Sequence, residues 1–326
     1  MPENRVTRIT GIGSALVDIL TNESDAFLTA LGKEKGGMTL VEDRDIQQIL
    51  IETTQTPVVV PGGAACNTIV GVGNLGGDAR FIGRRGNDAH GQTFEELVAN
   101  CNVEPLVSIS DSPTGKVLSV ITPDAQRSMF TFLGASTELD PALISPDMFK
   151  DTAISMIEGY LLFNKDLMMA ALTAAKAAGS LIALDLASFE VVNASREILE
   201  DIVKDFVDIL IANEDEAKAY TGHADEQKAI EKLSEQASYA VLKLGERGSY
   251  ISHQGHITRI HAQQGNAPID TTGAGDLWAA GFLFGIAHGF PIEKSGKIAS
   301  ACGYEVCQVM GAHLPQDAWS RIKELI

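Results

Sequence analysis

One pattern repeats between about residues 150 and 244: a short apolar run is followed by a longer stretch with helical periodicity. The apolar runs that we interpret as strands are 153–158, 181–186, 207–211 and 239–244. The stretches that we interpret as helices are 165–178, 194–204, 214–221 and 225–236. Short apolar strands that alternate with helices are typical of a parallel sheet covered on both faces. The pattern therefore predicts an α/β fold with a three-layer αβα core and a mainly parallel central sheet.

The N-terminal half departs from this alternation. Further strand-like runs lie far apart in the sequence, at 15–20, 56–61, 115–122 and 128–133. The last two flank Pro123-Asp-Ala-Gln126 and are typical of a hairpin. We expect these strands to form a small β-sheet lid from about 15–61 and 105–134, within a single domain that spans 1–326. The remaining predicted helices lie toward the C-terminus, at 274–288, 292–310 and 316–325.

Charge and composition limit the possible partners. The net charge is −18, and the sequence contains no basic stripe or polybasic patch, which disfavours nucleic acid and membrane surfaces. The first residues are polar, no run of 18 apolar residues occurs, and the four cysteines form no disulfide or metal-binding pattern. We therefore expect a cytoplasmic protein that acts on small molecules.

The segment Asp270-Thr-Thr-Gly-Ala-Gly-Asp276 stands directly before a long apolar helix. Gly273 and Gly275 allow a ligand to approach the backbone closely, and the free N–H groups at the helix start, that of Ala274 included, favour an anion. Asp276 would repel a passively bound anion, but beside a transferring phosphoryl group it is suited to act as a general base. The alternative is a glycine turn followed by an acid in the first helical turn, which the helix dipole favours.

A second glycine segment, Gly62-Gly-Ala-Ala-Cys-Asn67, opens a predicted helix over 68–74. Gly62 and Gly63 allow a ligand to lie against the backbone, and Asn67 offers a donor and an acceptor to a hydroxyl group. A turn with small residues for close packing would look the same. Upstream, Asp18 ends an apolar run, where we expect the chain to turn.

Two common nucleotide motifs are absent from the sequence. The run that ends at Asp18 contains Gly-x-Gly but lacks the third glycine of a dinucleotide fingerprint. A Gly-x-x-x-x-Gly-Lys-Ser/Thr motif does not occur, so the chain is not a P-loop enzyme.

Both glycine segments resemble signatures of the ribokinase (PfkB) family of carbohydrate and nucleoside kinases. Residues 270–282 are similar to its C-terminal signature, and the Gly-Gly pair with Asn67 is similar to its N-terminal one. The resemblance implies a ribokinase-like fold and ATP-dependent phosphorylation of a primary hydroxyl group. It further implies that Asp276 is the base, and that Asp18, Gly62, Gly63 and Asn67 bind the acceptor.

Other segments resemble the nucleotide side of the family's site. Asn213-Glu-Asp-Glu216 is similar to its Asn-x-x-Glu motif, which implies contacts with phosphate and, from Glu216 through water, with Mg²⁺. Lys243-Leu-Gly-Glu-Arg-Gly248 resembles the nucleotide loop, so Gly245 and Gly248 are expected beside ATP, while Lys243 stands where the family usually has Thr. A solvated acidic helix start and a hairpin turn are the respective alternatives.

Arg127 lies beside the predicted hairpin turn. In adenosine kinases of this family an Arg at this place moves with the lid toward the phosphates, so we expect Arg127 to neutralise charge on the transferring group. A surface arginine in a turn is the alternative. Some relatives hold a monovalent cation near the places of Asp270 and Thr272, which makes K⁺ a candidate beside ATP and Mg²⁺.

Several stretches are most similar to the adenosine kinase branch, among them residues 11–18, 157–161 and 207–217. Two residues depart from it: Ser14 replaces a frequent Asn, and Leu161 replaces the aromatic residue that stacks on the base. Our first hypothesis is phosphorylation of the adenosine 5′-hydroxyl to give AMP, by a monomer or homodimer. The alternatives are a carbohydrate kinase of the ribokinase or fructokinase type and a non-catalytic nucleotide-binding protein.

Overall fold

The computed structural model describes residues 5–32, 35–124 and 126–326. The strands within these ranges are β1 (Arg8–Ile12), β2 (Leu16–Asn22), β3 (Met38–Leu40), β4 (Val58–Gly62), β5 (Ala79–Gly86), β6 (Val103–Ser110), β7 (Gly115–Ile121), β8 (Arg127–Phe132), β9 (Thr152–Glu158), β10 (Leu181–Asp185), β11 (Ile209–Asn213), β12 (Tyr239–Lys243), β13 (Ser249–His253) and β14 (His256–Ile260). The α-helices are α1 (Asp25–Ala30), α2 (Asp43–Glu52), α3 (Ala64–Leu75), α4 (Ala89–Asn100), α5 (Lys165–Ala177), α6 (Phe189–Ala194), α7 (Arg196–Phe206), α8 (Glu214–Thr221), α9 (Glu226–Ser234), α10 (Ala274–Ala287), α11 (Ile292–Val306) and α12 (Gln316–Lys323).

The larger sheet has the strand order β14-β13-β12-β11-β10-β9-β1-β5-β6. All neighbours from β12 to β6 are parallel, and only β13 and β14 are antiparallel additions at one edge. Both faces are apolar: Ile209 and Ile211 pack into one core with α3, α10, α11 and α12, whereas Leu210 and Ala212 pack into a second core with α5 to α9. The three-layer α/β prediction is therefore confirmed.

The smaller sheet has the order β3-β8-β7-β2-β4. Strands β7 and β8 form the predicted antiparallel hairpin, and β2 lies between β4, which is antiparallel, and β7, which is parallel. Ala125, within the predicted turn 123–126, and residues 33–34 of the expected lid segment lie outside the described residues. The part of the chain that the structure describes contains no helix long and apolar enough to cross a membrane.

Two assignments from the N-terminal half were wrong. Residues 105–110 belong to β6 at the edge of the larger sheet, not to the lid, and the Pro105 in this strand suits an edge position. The apolar run that ends at Asp18 is not one element, because β1 ends at Ile12 and the chain crosses through Gly13 into β2. Asp18 therefore lies inside a strand of the smaller sheet, not at a turn.

The site lies where parallel strands end. Strands β9, β10, β11 and β12 finish side by side, which places Glu158, Asp185, Asn213 and Lys243 along one sheet edge. The N-terminus of α10 faces the same edge. Helix α10 also packs closely on α3: a methyl group added to Gly71 would lie 2.6 Å from the Cβ of Ala280. This close packing brings the starts of both helices together.

Candidate active site

The turn before α10 presents backbone donors. Gly273 has φ of 70°, in the left-handed region, and the Ala274 N–H donates to the Thr271 carbonyl over 3.2 Å. The N–H groups of Gly275 and Asp276 donate to no acceptor within residues 5–32, 35–124 and 126–326. Two free donors at the positive end of a 14-residue helix form a place for an anion.

Asp276 stands in the first turn of α10 and is half-buried. Asn67 Nδ2 donates to its Oδ2 over 3.0 Å, and Thr68 Oγ1 donates to its main-chain carbonyl over 3.1 Å. Burial raises the pKa of Asp276 to about 7, the Asn67 hydrogen bond opposes this, and the charge of Asp185 adds to it. A carboxyl group with this pKa is half ionised at neutral pH and is suited to proton transfer.

Asp18 and the Gly62–Gly63 pair form a second group, at the junction of the two sheets. Asp18 lies on β2 against β4, and a methyl group on Gly62 would overlap its carboxylate. Gly63 has φ of 103°, and a methyl group there would overlap the carbonyl oxygen of Ser14. Burial raises the pKa of Asp18 to about 7, while Arg127 lowers it and Asp276 raises it further. Asp276 and Arg127 therefore both lie close enough to Asp18 to affect its pKa.

Glu158, at the end of β9, is a site residue that sequence reasoning missed. It is fully buried and accepts hydrogen bonds from Ser14 Oγ at 2.9 Å and from the Ala65 N–H at 3.0 Å. Burial raises the pKa of Glu158, and those two hydrogen bonds oppose the rise. Ser14 is therefore bonded to Glu158, which fixes the loop before β2. The detectable signal was an acid at the last position of a predicted strand.

Asp185 and Lys243 were also missed as a pair. Lys243 Nζ lies 2.7 Å from Asp185 Oδ2, and both side chains are largely buried. Sequence reasoning noted Lys243 only as a departure from the family's Thr. The partner could be found only once β10 and β12 were known to flank β11.

Asn213 and Glu216 form a capping box at the start of α8. The Asn213 N–H and Nδ2 donate to Glu216 over 2.7 and 2.6 Å, and the Glu216 N–H donates back to Asn213 Oδ1 over 2.9 Å. Burial raises the pKa of Glu216 to about 7, and the charge of Asp185 adds to this. The capping box therefore already fixes the position of the Glu216 carboxylate, which is the group predicted to contact the metal ion.

A cavity of about 270 Å³ joins the turn before α10 to the strand-end acids and Lys243, but Asp18, Gly62 and Gly63 do not line it. Its lining comes from the ends of four parallel strands and from the N-termini of α3, α8 and α10: Ala64, Ala65, Met156, Glu158, Gly159, Tyr160, Asp185, Ala187, Asn213, Glu216, Lys243, Gly275 and Asp276. Tyr160 is 45% exposed, whereas Leu161 is 6% exposed and packs in the apolar core. Tyr160 thus lines the cavity, whereas Leu161 does not.

Arg127 contacts the turn before α10. Its Nη1 lies 3.3 Å from Asp270 Oδ2, and the same carboxylate accepts from the N–H and Oγ1 of Thr272 and from the Gly311 N–H. These bonds outweigh burial and lower the pKa of Asp270. Arg127 is therefore fixed beside the proposed phosphate turn.

Gly245 and Gly248 form the tight turn after β12, both with positive φ. They follow Lys243 at the same end of the sheet but do not line the cavity. Within the described ranges, no three His, Cys, Asp or Glu side chains are grouped to hold a metal ion. A hard cation here would keep most of its ligands as water and phosphate, which is the habit of Mg²⁺.

Together, the fold and site define a three-layer α/β protein with a second, smaller sheet and a half-buried carboxyl group beside free backbone donors at a helix start. The model of the pfkB family carbohydrate kinases matches residues 37–319, and the chain therefore belongs to this family. It is a phosphotransferase, a sugar or nucleoside kinase. Family membership implies ATP as donor and usually a divalent metal ion.

Three relatives illustrate the range of the family. The chain is 29% identical to an Arabidopsis thaliana ribokinase over 278 residues, which are 80% of this chain and 70% of the relative. A crystal structure of a probable sugar kinase protein from Rhizobium etli CFN 42 is 28% identical with a TM-score of 0.88, over 99% of this chain and 100% of the other. The adenosine kinase from Sinorhizobium meliloti is 30% identical with a TM-score of 0.86, over 98% and 99%.

Proposed function

We propose that this enzyme transfers the terminal phosphoryl group of ATP to the 5′-hydroxyl group of adenosine, giving AMP and ADP. The observation that carries the reaction type is Asp276, a half-buried carboxyl group with a pKa of about 7 beside two unpaired backbone donors. The likeness to the adenosine kinase from Sinorhizobium meliloti supports the acceptor.

Asp276 would act as the general base. Its carboxylate takes the proton of the attacking hydroxyl, and its position is fixed by Asn67 at 3.0 Å. The N–H groups of Gly275 and Asp276 would hold the oxygens of the transferring phosphoryl group, where negative charge is greatest. Arg127, held at Asp270, would add a positive charge from the lid.

The acceptor would lie between the smaller sheet and α3. Asp18 has enough lone pairs to accept hydrogen bonds from two ribose hydroxyls, and Asn67 can bind a third polar group. Gly63 gives the sugar access to the backbone. Tyr160 would supply the stacking face that Leu161 does not. Base-to-aromatic stacking contributes roughly 1–3 kcal/mol per base.

The donor would occupy the opposite side of the cavity, toward Gly245 and Gly248. Bound Mg²⁺ would neutralise phosphate charge, with the Glu216 carboxylate as a partner through water. Asp270, the expected partner of a potassium ion, already accepts bonds from Arg127, Thr272 and the Gly311 N–H. We expect one chain to form a complete site, as a monomer or in a homodimer.

A carbohydrate kinase is the second candidate. It is favoured by the buried position of Leu161, where adenosine kinases use a stacking aromatic residue. The ribokinase and the probable sugar kinase among the relatives point in the same direction.

An acceptor screen tests the proposal. ADP release would be measured with ATP, Mg²⁺ and each of adenosine, inosine, guanosine, ribose and fructose, with the product identified by chromatography. We expect adenosine to give the highest kcat/KM and AMP as the product. A preference for ribose or fructose of tenfold or more would contradict the acceptor but keep the reaction type. The Asp276→Asn variant measures the background ATP hydrolysis.

A further inference from the structure

A single lysine ammonium group faces the cavity between the ends of the strands and the start of α10. Lys243 Nζ lies 2.7 Å from Asp185 Oδ2, and a methyl group added to Gly275 would lie 3.1 Å from the same nitrogen. Lys243 is the only Lys, Arg or His among the described residues that line this cavity. The ammonium group is therefore adjacent to the backbone donors of the phosphate turn.

The start of α10, taken alone, makes this position unfavourable for a cation. The N-terminus of a helix carries a partial positive charge, so a cation beside it is normally disfavoured. Here Lys243 lines the same cavity as Gly275 and Asp276, whose backbone N–H groups are free within the described residues. Burial works against the charge on Lys243, yet Asp185 and Glu216 outweigh it and raise its pKa. The lysine is thus kept charged at a place that attracts anions.

Three of the acids that line the cavity are already held by hydrogen bonds. Glu158 is bonded to Ser14 and Ala65, and Glu216 is folded into the capping box of α8. Asp185 has its other oxygen, Oδ1, in a bond from the Ala187 N–H at 3.1 Å. Among the described residues that line the cavity, Asp185 and Lys243 are the one pair of oppositely charged side chains in contact. A rotation of the flexible lysine side chain would exchange this contact for a phosphate oxygen.

We propose that Lys243 is a further catalytic residue. Its ammonium group would move away from Asp185 and bind the terminal phosphate of ATP, where it would neutralise the charge that develops during transfer. A lysine here gives a full positive charge where the family usually has a Thr hydroxyl. The inference rests on ATP as the donor, which is part of the proposed function. The simpler alternative is that Lys243 only balances the charge of Asp185.

The test separates these roles by removing Lys243 in a background without the Asp185 charge. Asp185→Asn keeps the Ala187 contact through its amide oxygen, and Asp185→Asn/Lys243→Met then removes the ammonium group without leaving a buried unpaired carboxylate. Binding of the ATP analogue AMPPNP and of ADP would be measured by calorimetry with excess Mg²⁺. Urea unfolding of both variants shows that they are folded.

The two nucleotides are expected to respond differently. The double variant should bind AMPPNP roughly 10- to 100-fold more weakly than Asp185→Asn, the range for a lost charged hydrogen bond, with less than threefold change for ADP. Equal AMPPNP affinity in the two variants would show a charge-balancing role and overturn the inference. An equal loss of affinity for both nucleotides would place Lys243 at an inner phosphate and would also overturn the inference. A wild-type chain that binds neither nucleotide would instead refute ATP as the donor, and the inference with it.

Discussion

Replacement of Asp276 by Asn should remove activity and at the same time stabilise the protein. Asn has the same shape, but it cannot accept a proton from the attacking hydroxyl group. We expect kcat to fall by about 10²–10⁴-fold, the contribution of a general base. The fold should gain stability because a carboxyl group that is costly to ionise has been replaced by a neutral amide.

The size of the gain follows from the pKa. Folding moves the pKa of Asp276 from its ordinary value of 3.8 to about 7, so the folded state holds the proton more tightly than the unfolded state. Ionisation therefore reduces the free energy of unfolding as the pH rises from 4 to 7, by up to roughly 4 kcal/mol above pH 7. Asp276 is only half-buried, and it interacts electrostatically with Asp18 and Glu216. We therefore expect the variant to gain about 1–2 kcal/mol in the free energy of unfolding at pH 8.

Urea unfolding of wild type and Asp276→Asn at pH 5 and pH 8 measures this directly. The variant should be more stable at pH 8, and its advantage should shrink at pH 5, where the folded wild type is largely protonated. Asp166→Asn is the matched control, since Asp166 is an exposed acid in the first turn of α5. Its loss should slightly weaken the helix at both pH values.

Two results would refute the reasoning. An Asp276→Asn variant less stable than wild type at pH 8 would mean that the carboxylate is favourably bound, not strained. Near-normal turnover would remove Asp276 from the role of base. In wild type, kcat/KM should also rise with pH through an apparent pKa near 7, because the cluster must lose a proton before it can accept one.

Three further variants test other parts of the site. Asp18→Asn should raise the acceptor KM roughly 10- to 100-fold and leave the ATP KM within twofold in initial-rate kinetics. A change in the ATP KM alone would mean that the acceptor and donor sites have been assigned the wrong way round. Gly63→Ala should cost at least about 3 kcal/mol in urea unfolding, because its methyl group overlaps the Ser14 carbonyl oxygen. Gly179→Ala, also at positive φ but in open space, should cost only about 1 kcal/mol, and equal costs would argue against a close approach at Gly63. Arg127→Met should lower kcat by about 10- to 100-fold in the same kinetic assay, whereas an unchanged rate would identify a surface arginine.

The fold could be predicted because its signals are local. Each buried parallel strand is a short apolar run, and helix-breaking residues separate it from the next helix. The edges of the sheet gave weaker signals. Strand β6 is only partly buried and contains Pro105, so its pattern resembles that of a connecting segment. The end of β1 was likewise not recognised, because Gly11 lies within the strand and Gly13 follows it in the same apolar run.

The residues of the candidate site could likewise be predicted only in part. Asp276 and Asn67 could be predicted because each belongs to a contiguous glycine segment with a recognisable sequence. Glu158 and the pair of Asp185 and Lys243 could not, because their roles depend on which strands are neighbours in the sheet. A single acid or lysine at a strand end is compatible with many environments. These separate residues form one cluster because β9, β10, β11 and β12 lie side by side in the sheet.

The packing of α3 against α10 has a consequence for biosynthesis. Asn67 and Asp276, which meet at 3.0 Å, are 209 residues apart in the chain. At a synthesis rate of about 5–20 residues per second, roughly 10–40 s separate their exit from the ribosome. During that interval the nascent chain carries Asp18, Gly63 and Asn67, which we propose to bind the acceptor, but it lacks Asp276 and the turn before α10. On the proposed mechanism, a nascent chain that has not yet reached residue 276 would therefore be unable to transfer a phosphoryl group.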